Sequence, residues 1–331
     1  MRALSAEVHI TRGPLVESRH RVHAVVTDAD GTLMASVGDP ALVTYWRSCA
    51  KLFQVLPLVQ EGGLERLGWD DAALTLACAS HGGEPEHVAL AAQMLASLGL
   101  DAAALACGPS TPLSARGRDC LAASGAPLTR LHNNCSGKHA AMLALATLRG
   151  WPTAGYHEAA HPVQQLAREV VAAWTGVPVA RIPVGVDGCG VSVFGLPLRA
   201  MAVAYARLGV AAAAGEAAPA RIVGAISTHP HLLAGTERFD SVLVAETGGA
   251  LIAKIGADGV HCVLAPAEGL GVALKIEDGS VRVQHAALVA VLQAVGLLPT
   301  TLTGPLAGFA NEPVINTRGE TVGWIRAADP A

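Results

Sequence analysis

Charge is scarce in this chain of 331 residues: Asp, Glu, Lys and Arg make up 15%, hydrophobic residues 51%, and the net charge is −4. No basic block or tail stands out, which argues against nucleic acid or an acidic membrane surface as partner. A long apolar run is missing as well. The longest stretch free of charge, Val283 to Asn311, is broken by Gln293, Pro299 and Pro305. It reads as a buried helix followed by a loop, not a membrane span. Met1 to Glu7 lacks the apolar core of a secretory signal, and the expected location is the cytoplasm. The seven cysteines are odd in number and scattered, so they suggest no disulfide framework. His-Glu-x-x-His is absent, and Gly185, Gly188 and Gly190 do not have the spacing of a dinucleotide loop. Much of the apolar share is alanine, and the length suffices for one large domain or two lobes sharing a core.

What is present begins with strands. Val22 to Thr27 and Thr32 to Val37 flank Asp28-Ala29-Asp30-Gly31, a good hairpin turn. Helical spacing of apolar residues follows over Pro85 to Leu98, Gly137 to Leu148, His161 to Trp174 and Pro197 to Leu208. Strands return at Gly249 to Ile255 and Val260 to Leu264, then at Gly271 to Ile276 and Ser280 to Val283, each pair joined by an Asp-Gly turn. A helix is expected over Ala286 to Leu298. Strands at both ends with helices between predict an α+β fold, an antiparallel sheet built from both termini and carrying a helical lobe. The expectation is one catalytic unit over 1–331. Its sheet lobe lies near 1–47 and 240–331, and its helix-rich lobe near 48–239.

Several segments are rich in chemistry. In Arg47-Ser48-Cys49-Ala50-Lys51 the serine and lysine are three apart and share a helix face. A lysine amine held uncharged by burial or by a neighbouring cation turns such a serine into an acylation nucleophile. The bland reading is a capping serine and a solvated lysine. Ser80, in Ala79-Ser80-His81-Gly82-Gly83, sits where an apolar segment ends in a glycine turn that can aim a side chain into a cleft. Cys135 and Lys138, in Asn134-Cys135-Ser136-Gly137-Lys138-His139, flank a helix N-terminus, and Cys189 lies in the glycine turn Asp187-Gly188-Cys189-Gly190. By spacing alone the two cysteines are no zinc signature. Lys254 lies on a mostly apolar strand and needs a polar partner if it faces the core. Asp28-Ala29-Asp30-Gly31-Thr32 also matches the opening motif of haloacid-dehalogenase-type phosphatases, but the downstream carboxylate pair is missing and a hairpin turn explains it better.

Taken together and in order, Arg47 to Lys51, Ala79 to His81, Cys135 to His139, Asp187 to Cys189, Lys254 to Ala257 and Leu274 to Gly279 resemble the rhizobial-type (class 3) L-asparaginases, often labelled L-asparaginase II in bacteria. The likeness runs from about Val8 to Arg326. It implies a fold similar to serine β-lactamases, penicillin-binding proteins and bacterial glutaminases. It also implies two Ser–Lys pairs, Ser48 with Lys51 and Ser80 with Lys254. Zn²⁺ would be bound by Cys135, Lys138 and Cys189, and the assembly would be a homodimer. The substrate it implies is L-asparagine, bound through Arg47, His81 and Asp187. Leu52, Cys49, Val186, Ser192 and Val193 depart from the family's expected sequence, yet none of them carries an assigned role. Rival readings are a glutaminase or β-lactam-active hydrolase and a non-catalytic zinc- or amino-acid-binding protein.

Overall fold

The computed structural model describes residues 3–330. Its strands are β1 (Glu7–Arg12), β2 (Leu15–Thr27), β3 (Leu33–Val37), β4 (Val43–Tyr45), β5 (Val184–Val186), β6 (Ser192–Pro197), β7 (Ile252–Ile255), β8 (Val260–Ala265), β9 (Leu270–Ile276), β10 (Asn311–Ile315) and β11 (Thr321–Ala327). The chain divides into two compact units. One comprises Met1–Cys49, Leu196–Val210 and Ala253–Ala331; the other comprises Ala50–Gly195 and Ala211–Ile252.

The first unit is an antiparallel sheet in the order β10-β11-β1-β2-β9-β8-β7, with β3 also paired to β2. The long strand β2 is its spine. Leu15 to Arg21 pair with β1, whereas Val22 to Thr27 pair with β9 and Ala24 to Thr27 with β3. The second half of β2 is therefore flanked on both edges and buried throughout, as a continuous His-Ala-Val-Val run requires. The hairpin turns follow their sequences. Asp258 and Gly259 adopt φ of 56° and 75°, the two left-handed residues of a type I′ turn. The turn after β2 closes with Gly31 N–H donating to Asp28 O, and the Asp28 carboxylate accepts the Thr32 N–H at 2.7 Å. That carboxylate is engaged in its own turn, as a hairpin reading requires.

The Leu198–Val210 part of the Leu198–Ala213 helix belongs to this unit. It lies so close to β9 that a Cβ on Gly271 would collide with Ala202 O, so only glycine fits at that crossing. The Gln284–Ala294 helix packs on β1, β8, β9 and β11 and buries Leu288, Val289 and Leu292. Two sequence expectations fail here. Ser280 to Val283 is not a strand: Ser280 N–H donates to the Asp278 carboxylate, and Val281–Val283 is a 3₁₀ turn leading into that helix. The loop expected at the end of the charge-free stretch also contains a short helix, Gly304–Ala310. Beyond it β10 and β11, which the sequence pattern does not announce, pair with each other and extend the sheet beside β1.

The second unit is helical and centres on Ser136–Leu148, buried without a break from Ser136 to Ala146. The Asp71–Cys78 helix crosses it where a Cβ on Gly137 would run into Leu76 O. Asp70 caps that crossing helix by accepting the Ala73 N–H at 3.0 Å. β5 and β6 form a hairpin in this unit, with Val186 opposite Ser192. Among the described residues no helix is long and apolar enough to cross a membrane.

Candidate active site

The Asp71–Cys78 helix stops at Ala79, which turns extended at ψ 152°, and the chain runs on as Ser80-His81-Gly82-Gly83-Glu84. Every residue of that run is buried. Buried backbone must find partners, and it does. Ser80 N–H donates to Leu233 O at 3.0 Å, and His81 N–H to Asn134 O at 3.2 Å. Arg238 Nη1 donates to Ser80 O at 3.0 Å. Lys51 donates to Ala79 O, and its Nζ lies 3.1 Å from Ser80 Oγ and 3.5 Å from Asn134 O. Lys51 is 1% exposed and has no carboxylate within ion-pair distance among the described residues. The amine thus rests on two carbonyls and a serine hydroxyl.

His81 accepts the Gly83 N–H on Nδ1, leaving Nε2–H to reach Ser136 Oγ at 2.9 Å. Both ring nitrogens are occupied by the protein. Burial, with charge from His87 and Lys51 adding to it, keeps this imidazole neutral well below the usual histidine range.

Ser48 lies in the 3₁₀ turn Arg47–Ala50 of the sheet unit. It is half-buried, and among the described residues its hydroxyl has no hydrogen-bond partner. Arg47 adopts a left-handed φ of 52°, a strained conformation for a residue with a side chain, and its guanidinium pairs with the Asp258 carboxylate. Cys49, next to Ser48, donates its thiol to Lys254 O at 2.9 Å, and Tyr205 OH donates to Cys49 O at 2.7 Å. The Ser48 turn is in this way tied to the strand that carries Lys254. Lys254 is fully buried, and its Nζ donates to Ile255 O at 3.0 Å.

The cysteine segments meet within the helical unit. The loop between β5 and β6 is closed by Asp187 N–H on Val191 O and by Gly190 N–H on Asp187 O, both at 2.8 Å. Gly190, at φ 92°, supplies the left-handed residue this turn needs. Cys189 Sγ then lies 2.9 Å from Lys138 Nζ, with Asp187 Oδ2 3.9 Å from the same amine. A hydrogen bond from Cys135 pulls the Cys189 thiol down to about 5 against the cost of burial, with the Lys138 charge helping. The same bond and burial push Cys135 up to about 12. Burial works against the Lys138 charge, but the two sulfurs and Asp187 outweigh it and hold the amine protonated.

This donor set suits zinc: two sulfurs, one already favouring the thiolate, and one amine, all buried and converging. Among the described residues no group of three His, Cys, Asp or Glu side chains is arranged to hold a metal, so an ion here would need the lysine nitrogen. That amine must first lose its proton.

Sequence reasoning missed Glu84. Its carboxylate is 1% exposed and accepts Thr236 N–H at 2.8 Å, Thr236 Oγ1 at 2.9 Å and Arg116 Nη1. The only local signal is a glutamate just before Pro85, completing a capping box with His87. Burial raises this carboxyl's pKa, but the donors from Thr236 and Arg116 lower it more, and the net shift is downward. Its stabilising contribution is therefore complete above the unfolded-state value and is lost as pH falls through the lower folded value. Glu84→Gln should lower stability by about 2–3 kcal/mol at neutral pH. The gap between parent and variant should narrow in acid. Thermal melts across pH test this, and a gap that stays constant into acid would contradict it.

The family model described as L-asparaginase II matches residues 8–327. No curated protein matches. Among solved structures, a mutant of simvastatin synthase from Aspergillus terreus is similar at 12% identity, covering 83% of this chain and 89% of its own, with a TM-score of 0.40. A β-lactamase from Mycobacterium bovis is similar at 12% identity, covering 83% and 94%, with a TM-score of 0.32.

Proposed function

The chain belongs to the L-asparaginase II family and is an amidohydrolase of the asparaginase type, and from that premise we propose that it hydrolyses the side-chain amide of L-asparagine to L-aspartate and ammonia. Ser48 Oγ attacks the amide carbon, and Lys51 takes its proton as general base. Backbone N–H groups, that of Ser48 among them, stabilise the oxyanion. The C–N bond breaks, the departing nitrogen takes a proton relayed through Ser80 and Lys254, and water then cleaves the aspartyl ester. Asp187 binds the α-ammonium, and His81 holds the Ser80 segment in place through its bonds to Gly83 and Ser136.

The observation that carries this reading is the buried Lys51 amine, three residues after Ser48, resting on Ser80 Oγ at 3.1 Å with no carboxylate beside it. The same contact favours one variant, in which Ser80 is itself the nucleophile. Cys135, Lys138 and Cys189 are the residues to hold a zinc ion. When bound, the ion supplies a fixed positive charge that orders the two cysteine-bearing segments.

Ammonia release from asparagine and from glutamine tests the proposal. One methylene of difference in a fitted pocket is worth about 1–3 kcal/mol, so asparagine should win by about tenfold or more in kcat/KM. A preference for glutamine would make the enzyme a glutaminase, and release from neither would remove the amide substrate altogether.

A further inference from the structure

We propose that Arg238 is a substrate-binding residue, whose guanidinium takes the α-carboxylate of the amino-acid substrate; this rests on the amidohydrolase reading above. The chain reaches Arg238 through an unusual turn. Gly235 has φ 118°, and Glu237, a residue with a side chain, is held left-handed at φ 59°. Gly235 N–H is bonded to Ser241 Oγ at 3.1 Å, and Thr236 is bonded twice to the buried Glu84 carboxylate. Strain of this kind persists only where the surroundings over-determine it. Its consequence here is that Arg238 folds back onto Ser80.

The guanidinium has five N–H groups in a rigid fork. Nη1 donates to Ser80 O at 3.0 Å and to Ala234 O at 3.3 Å. Among the described residues no acceptor meets its Nε or Nη2, and no carboxylate lies within ion-pair distance. The nearest anions act only at longer range: Asp240, and Glu84, whose oxygens are already taken by Thr236 and Arg116. Burial accordingly draws the Arg238 pKa down. A half-buried cation without a counter-ion is costly, and the cost is offset once an anion binds. The unused edge of the fork matches a carboxylate in bidentate geometry.

Its position suits a small amino acid. Arg238 is bonded to the carbonyl of Ser80, whose hydroxyl is bonded to Lys51. In asparagine the α-carboxylate is only a few bonds from the side-chain amide. Arg47 differs in already having a carboxylate, that of Asp258.

The test compares asparagine with 3-aminopropanamide, which keeps the amine and the amide but has no carboxylate. In the full-length protein, Arg238→Met should raise KM for asparagine by at least about tenfold, the loss expected for one charge-assisted hydrogen bond or more. The KM for 3-aminopropanamide should rise far less, since it has no carboxylate to lose and any effect of the lost bond to Ser80 O falls on both substrates alike. Arg238→Lys keeps the charge and the bond to Ser80 O but not the fork. It should raise KM for asparagine less, again sparing the shorter amide, and it carries the same comparison if the methionine variant does not fold. An equal loss on both substrates, expressed in kcat, would reduce Arg238 to a clamp on the Ser80 carbonyl and overturn the assignment. So would an unchanged KM for asparagine. If the parent releases no ammonia from asparagine, the amidohydrolase reading itself fails and takes this assignment with it.

Discussion

Ser48→Ala is expected to lower ammonia release from asparagine by about 10⁴-fold or more and to leave the fold intact. The rate effect follows from chemistry: without an oxygen at that position no acyl-enzyme forms, and removing a nucleophile is among the severest single losses known. The stability effect follows from the structure. Ser48 is half-buried and its hydroxyl has no hydrogen-bond partner among the described residues, so deleting it breaks no bond and should cost less than about 0.5 kcal/mol. Lys51→Met is the useful contrast. Methionine fills the space of the stem but leaves Ala79 O short of a donor in the interior and removes the contacts to Ser80 Oγ and Asn134 O. Activity should collapse, and stability should fall by a few kcal/mol as well. Steady-state rates with thermal melts on both variants check this. A Ser48→Ala enzyme within about tenfold of the parent, some 1.4 kcal/mol in barrier, would sink the nucleophile assignment.

The second large effect concerns metal. Protein purified without added metal is expected to carry up to one zinc per chain, and Cys135→Ser and Cys189→Ser should each lower that content sharply. The expectation rests on a thiolate-favouring Cys189, a buried partner thiol and an amine converging within the helical unit. Serine holds zinc poorly, and Cys189→Ser also takes the sulfur partner from the Lys138 ammonium, so that variant should melt lower by about 1–3 kcal/mol. In the proposed mechanism Ser48 and Lys51 supply nucleophile and base, so chelation should raise KM or lower the melting temperature more than it lowers kcat. Elemental analysis decides the first point. Full zinc in both variants would put the site elsewhere. No zinc in the parent would leave an ammonium–thiolate pair with a structural or redox role.

How much of this was legible in the residues depends on how local each signal is. The type I′ turn at Asp258-Gly259 and the hairpin at Asp28 to Gly31 are written in adjacent residues and are found in place. The buried second half of β2 is equally plain as an apolar run. Ser280 to Val283 misleads because its valines favour strand, whereas the Asp278 carboxylate captures Ser280 N–H and starts a helix. The β10–β11 hairpin was hidden because its turn, Asn316 to Glu320, is polar and Pro313 weakens the strand signal.

In the site, cysteine, lysine and serine announce themselves by chemical type. Glu84 and Arg238 do not. Glu84 meets Thr236 across 152 positions, and Arg238 meets Ser80 across 158, mostly through backbone groups that leave no trace in side-chain patterns. The pairing of hydroxyl with amine was also beyond the sequence: spacing joins Lys51 to Ser48, while the folded chain sets its Nζ on Ser80 Oγ.

That ambiguity makes peptide-level mass spectrometry of enzyme quenched during turnover of asparagine the most direct measurement. The account predicts an aspartyl ester on the peptide containing Ser48, absent from Ser48→Ala and still formed in Ser80→Ala. An adduct on the Ser80 peptide, or steady ammonia release with no adduct on either serine, would contradict it.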